Sequence, residues 1–131
     1  MRRIILWIIV ASLVIFIGSA CYTFNVIYRQ VYRITSAAKS EFSGDAIQAL
    51  SSLIESHNHG FEEKNTAIWA LGQLADPKAL PFLEKLNAEA GAHAVPFDRS
   101  GGLSKYEIEK AIKWCRKGNL TSWMYRKQIF K

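Results

Sequence analysis

The chain has 131 residues with 17 basic and 11 acidic side chains, a formal charge of +6 at neutral pH. About ninety residues lie beyond the apolar start and the segment adjoining it, enough for one modest core of packed helices and too few for two independent domains. One cysteine sits in the apolar run and the other stands alone in the remainder, which excludes an intrachain disulfide framework and leaves the redox compartment unreported.

Residues 4–28 (IILWIIVASLVIFIGSACYTFNVIY) contain no Lys, Arg, Asp, Glu or His and follow a short basic tail, residues 1–3. At about 1.5 Å of rise per residue, such a helix crosses a hydrocarbon core of about 30 Å with length left for tilt. The run reads as an uncleaved, single membrane-spanning helix, with Trp7 near one interface and Tyr22 and Tyr28 at the other. Two further readings share these residues, because Gly18-Ser19-Ala20 ahead of Cys21 also resembles a signal-peptide cleavage site and a lipobox. Gly18 argues against the lipobox, where a branched or long aliphatic side chain is usual. Against cleavage stands the apolar character that continues through Tyr22, Phe24, Val26, Ile27 and Tyr28, past the about 7–15 residues of a signal-peptide core. Arg2 and Arg3 on one side nearly balance Arg29, Arg33 and Lys39 on the other. A very short basic tail is usually retained inside, so the expected topology is a cytoplasmic N-terminus and an extracytoplasmic remainder.

Residues 29–43 have helix-compatible composition and read as a juxtamembrane stalk that Ser43-Gly44 interrupts. Next, residues 45–57 place Ala46, Ala49, Leu50, Leu53 and Ile54 on one stripe, with Asp45 and Gln48 spaced as a capping box. A second helix is predicted over residues 61–75, with Glu62 and Glu63 favourably placed in its first turn and Ala67, Ile68, Leu71 and Leu74 or Ala75 inward. Asp76-Pro77 supplies a cap and a proline at the first helical position, opening a third helix that runs to about Asn87 with Leu80, Leu83 and Leu86 inward. Residues 88–102 read as a loop. Ser104 and Glu107 form another capping box before a fourth helix, in which Tyr106, Ile108, Ala111, Ile112 and Cys115 are available for packing and Gly118 closes the end.

The residues Ala70-Leu71-Gly72-Gln73-Leu74-Ala75-Asp76-Pro77-Lys78-Ala79-Leu80-Pro81-Phe82-Leu83 resemble the phrase that joins helix pairs in bacterial HEAT repeats of the phycobilin-lyase type. The likeness is specific over residues 64–86 and looser over 45–118. It implies a HEAT-like domain of about two helix pairs over residues 44–118. With the apolar span and the charge pattern, the expectation is an all-α chain of one N-terminal transmembrane helix, this domain and a basic aromatic tail over 119–131. Solenoids usually need three or more repeats, so two pairs call for the loop, stalk or tail to cover their ends. HEAT arrays mostly act as protein-binding scaffolds. The lyase activity of some relatives does not carry over, since no chromophore-handling residues match, and no cofactor is expected.

Asn65, Trp69 and Gln73 recur every four residues on the second predicted helix, which in HEAT repeats lines the concave face. They are the candidate surface for a protein partner, an aromatic anchor between two amides. The alternative is that Trp69 packs internally while the amides cap neighbouring backbone. Charge is divided unevenly: residues 41–104 hold four basic side chains against nine acidic, and residues 105–131 hold eight against two. Arg116, Lys117, Trp123, Arg126 and Lys127 are accordingly the candidate membrane-surface residues, a cationic and aromatic mixture suited to anionic lipid. Against this stands a reading in which Leu120, Trp123, Met124 and Ile129 cap the last helix pair and the charges only face water. Nucleic acid is not an expected partner, given the extracytoplasmic topology.

His57, His59, Glu62 and Glu63 are metal-ligand types, but a zinc site would need further convergence, for example from His93, and no metal is expected. Cys115 lies amid Lys113, Arg116 and Lys117, a setting that can lower a thiol pKa, though a plain helix-face role is simpler. With no nucleophile motif and no phosphate-binding glycine loop, the chain is not expected to be an enzyme. The expectation is a membrane-anchored interaction scaffold or, alternatively, a small subunit of a larger membrane complex whose span packs against other helices. A reporter active only outside the cytoplasm, fused after Lys131, should give signal; activity from a cytoplasm-only reporter would reverse the topology.

Overall fold

The computed structural model describes residues 2–91, 103–125 and 130. The fold is all-α, and the chain divides into two units, residues 1–30 and 31–131. Helix α1 (Arg2–Glu41) is long and apolar enough to cross a membrane. Its large apolar side chains from Ile4 to Ile17 are 43–72% exposed, the state of a helix with no protein against it.

In the second unit the same helix changes role. Val31, Ile34, Thr35 and Ala38 are buried at spacings of three, one and three, which is the inward stripe of a packed helix. Residues 31–41, within the predicted stalk, are thus a core element. The helix closes with the Phe42 amide donating to the Ala38 carbonyl at 2.8 Å. Gly44, at φ +117°, then turns the chain in a conformation that L-residues rarely adopt. Helix α2 (Ala46–Glu55) opens with the expected capping box: the Gln48 amide donates to Asp45 Oδ1 at 2.9 Å and the Asp45 amide to Gln48 Oε1 at 3.2 Å. Ile47 joins the predicted stripe in the core.

Helix α3 (Phe61–Leu74) is the centre of the domain. Ala67, Ile68, Ala70, Leu71, Gly72, Gln73 and Leu74 are all buried, far more than one stripe, because α3 packs on both α2 and helix α5 (Lys105–Lys117). Ala75, in the left-handed region at φ 50°, ends α3 and donates its amide to the Leu71 carbonyl. Asp76 caps a short 3₁₀ turn (Pro77–Ala79) through the Lys78 amide at 2.9 Å, and helix α4 (Leu80–Gly91) follows. Residues 88–91 therefore extend the helix rather than open a loop; the rest of the predicted loop, 92–102, lies outside the described residues. Leu83 is fully buried on α4, while Leu80 and Leu86 are only partly covered.

On α5, Ile108, Ala111, Ile112 and Cys115 face inward as expected, but Tyr106 is 69% exposed. Tyr106 is two residues from Ile108, so about 200° of helical rotation carries it away from the buried face. The cap of α5 also differs from a reciprocal box. Ser104 Oγ accepts from the Glu107 amide at 3.4 Å, whereas the Ser104 amide donates to Asn65 Oδ1 on α3 at 3.0 Å.

Several contacts set the direction of α3 against α5. Asn65 meets Ser104, Leu71 meets Cys115 and Gln73 meets Asn119, so the two helices run parallel. Glu84, early in α4, pairs with Arg116, late in α5, so α4 and α5 are antiparallel. The result is two helical hairpins, α2–α3 and α4–α5, stacked through their second helices. A Cβ on Gly72 would fall 2.9 Å from Ala111 Cα and 2.9 Å from Trp114 Cε3. Hydrogen there is what lets the helices approach this closely.

Beyond α5 the chain folds back. A 3₁₀ turn (Ser122–Tyr125) buries Tyr125, whose ring meets Phe130 edge-on at 5.2 Å, and Phe130 in turn meets Tyr32 of α1 edge-on at 6.5 Å. Such aromatic pairs contribute about 0.5–1.5 kcal/mol each beyond area burial. Gly72→Val should destabilise the domain by about 1–3 kcal/mol, as overpacked cores do. The check is the thermal midpoint followed by near-ultraviolet circular dichroism in detergent; an unchanged midpoint would mean that the seam can open at no cost.

Candidate functional site

The α3 line of Asn65, Trp69 and Gln73 borders the seam with α5, and its two amides are engaged inside the domain. Asn65 accepts from the Ser104 amide as above, at the start of α5. Gln73, 5% exposed, accepts from Asn119 Nδ2 at 3.0 Å and Thr121 Oγ1 at 2.5 Å, just past the end of α5. Trp69 lies between these braces and is partly exposed.

On α5 the neighbouring surface is a ladder at helical spacing. Lys110 Nζ lies 5.5 Å from the Tyr106 ring centroid and 4.8 Å from that of Trp114, within the range of cation–π attraction, and 3.6 Å from Glu107. Trp114 reaches across to α3 at Gly72, one turn from Trp69. Tyr106, Lys110 and Trp114 thus form one cation–aromatic ladder on α5, and Trp69 lies on the parallel helix α3 one turn before the Gly72 that Trp114 meets. The outward placement of Tyr106 was open to sequence reasoning, since a Lys one turn on at position 110 marks a solvent-facing line.

The candidate membrane-surface residues divide differently. Arg116 is exposed and bonds Glu84 at 2.5 Å, an exposed pair of the kind that adds little stability. Lys117 is exposed, and Trp123 is 59% exposed. Arg126 and Lys127 lie outside the described residues, as does Ile129. Leu120, a candidate cap for the last helix pair, is 76% exposed; Thr121, Tyr125 and Phe130 supply the buried contacts there.

Cys115 is buried, and its thiol donates to the Leu71 carbonyl at 3.7 Å. Burial, with the Asp76 carboxylate adding to it, pushes the thiol up to about 11, so it is a packing group and not an activated nucleophile. His59 proves more connected than its sequence neighbours. Its Nδ1 lies 2.9 Å from Glu63 of α3, and its Nε2 lies 3.0 Å from Glu41 of α1, an ion pair by distance without hydrogen-bond alignment. The Phe42 ring packs at 6.1 Å. No group of three His, Cys, Asp or Glu side chains converges for a metal among the described residues, and His93 lies outside them.

Two open clefts flank α4. One, of about 240 Å³, has Ile54, Phe82 and Leu86 for walls and Glu55, Lys85 and Glu89 at its rim; the other, of about 360 Å³, lies between α4 and α5. No family model matches the chain, and no curated protein or solved structure matches it either.

His59 is held above its ordinary value of 6.5 by the bonded Glu63 carboxylate first, with desolvation opposing and Glu41 adding to the rise. A raised folded-state value means that the stabilisation is complete below about pH 6.5 and fades as pH climbs through the raised value. The wild-type melting temperature relative to His59→Gln should therefore be highest in mild acid and fall toward alkaline pH. An imidazole titrating below 6.5 by NMR would refute this.

Proposed function

We propose that this chain is a single-pass membrane protein whose domain beyond residue 30 is a small HEAT-like scaffold, binding another protein and performing no catalysis. The observation that carries the reading is the cation–aromatic ladder of Tyr106, Lys110 and Trp114 on α5, with Trp69 on the parallel second helix α3. HEAT repeats present partners to that side, and the phrase joining α3 to α4 is the one the likeness rests on. In this reading Trp69 and Tyr106 are anchors, and Asn65 and Gln73 act as braces that hold α3 and α5 at fixed spacing. Preformed aromatic anchors contribute binding energy with little ordering cost. The favoured topology keeps the N-terminus in the cytoplasm and the domain outside.

One observation favours the runner-up, a subunit whose span packs against other helices. Gly18, Ser19 and Ala20 are small residues in the span that permit close approach of a neighbouring helix. Copurification of the full chain from membranes in mild detergent decides between them. Tyr106→Ala should remove the stoichiometric protein partner while leaving the melting temperature unchanged, and Trp69→Ala should also remove it. Loss of about 2 kcal/mol or more of binding per anchor is the expected scale. A partner retained after deletion of residues 44–131 would instead identify the span as the binding element.

A further inference from the structure

We propose that residues 119–125, together with the basic end of α5, form a docking point for the anionic headgroups of a phospholipid bilayer. The large apolar side chains left exposed in the described part of the second unit are Tyr32, Tyr106, Leu120 and Trp123, and the last two sit three residues apart in one turn. Their exposure is built in and does not come from a loose end. Thr121 and Asn119 both bond Gln73, the Ser122 amide and hydroxyl both donate to the Asn119 carbonyl, the Met124 amide donates to Thr121, and Tyr125 is buried. Within this fixed turn the alternation is Leu120 out, Thr121 in, Trp123 out, Tyr125 in.

Charge selects the occupant. Lys113 and Lys117 are exposed one turn apart on α5, the second of them three residues before Leu120, while the charge of Arg116 is spent on Glu84. Two exposed lysines on α5, which share the α4–α5 cleft with Glu84 and Glu109, followed closely in the chain by an exposed Leu and Trp, match the layered chemistry of an anionic bilayer surface: Trp at the headgroup level, Leu toward the acyl chains, and ammonium groups at the phosphates. The proposal rests on α1 spanning the bilayer, which keeps lipid at high effective concentration, so that a weak contact suffices.

The test uses the full chain in nanodiscs with brominated acyl chains, made of phosphatidylcholine alone or mixed with phosphatidylglycerol, and reads tryptophan quenching. Trp7→Phe and Trp123→Phe assign the components by difference. The Trp7 component should be quenched in both lipids, and the Trp123 component only with phosphatidylglycerol. The Trp123 quenching should vanish at high salt and in Lys113→Glu/Lys117→Glu. A Trp123 component that stays bright with phosphatidylglycerol, or is quenched equally without it, overturns the docking point. An unquenched Trp7 component would overturn the span itself, a separable failure.

Discussion

The domain depends on how closely two parallel helices, α3 and α5, can approach. Gly72 sets that spacing, since any side chain there would strike the backbone of Ala111 and the ring of Trp114. Around it the seam is closed at three levels. Asn65 takes the first free amide of α5, the Cys115 thiol reaches the Leu71 carbonyl, and Gln73 gathers Asn119 and Thr121 beyond the end of the helix. Because the amide acceptors are on α3 and their donors on the segments flanking α5, the register between hairpins is specified by polar groups. Apolar packing alone would tolerate sliding by a turn; buried acceptors that need particular donors do not.

The same seam produces both proposed surfaces. Bringing α3 and α5 together in parallel sets Trp114 of the ladder against Gly72, one turn from Trp69. Pinning Thr121 beneath Gln73 forces the following turn to present Leu120 and Trp123 outward. Cys115, the thiol at the seam, is buried, and burial raises its pKa.

Much of this was legible in the chain because helices write their inward stripe at three- and four-residue spacing. The stripes of α2 and α5, the capping box of Asp45 and Gln48, and the Asp76-Pro77 opening are local patterns whose physics needs no distant partner. The long apolar α1 was equally plain. What escaped was contact between distant residues. A helix with one neighbour shows one stripe, but α3 has neighbours on more than one side, so Ala70, Gly72 and Gln73 are buried beyond the predicted line. Glu107 was expected to complete the cap of α5, a role that Asn65, 39 residues earlier, fills at the Ser104 amide. Val31, Ile34, Thr35 and Ala38 form a proper stripe, yet a buried threonine and the adjoining apolar span disguised it as a stalk. Tyr106 shows the converse, an aromatic ring grouped with the residues available for packing although the helical angle from Ile108 sends it out.

The edge-on meeting of Tyr32 with Phe130 joins the first helix of the second unit to a residue beyond all the others described. Nearly the whole domain is the loop that this contact closes. Contacts of such long range are slow to form, and both partners must first have been synthesised. Residues 31–41 precede the rest of the second unit, and the Tyr32 ring lacks its Phe130 partner until residue 130 has emerged. Closure of this domain therefore waits until Phe130 has been synthesised, about a hundred residues after the helix that it meets.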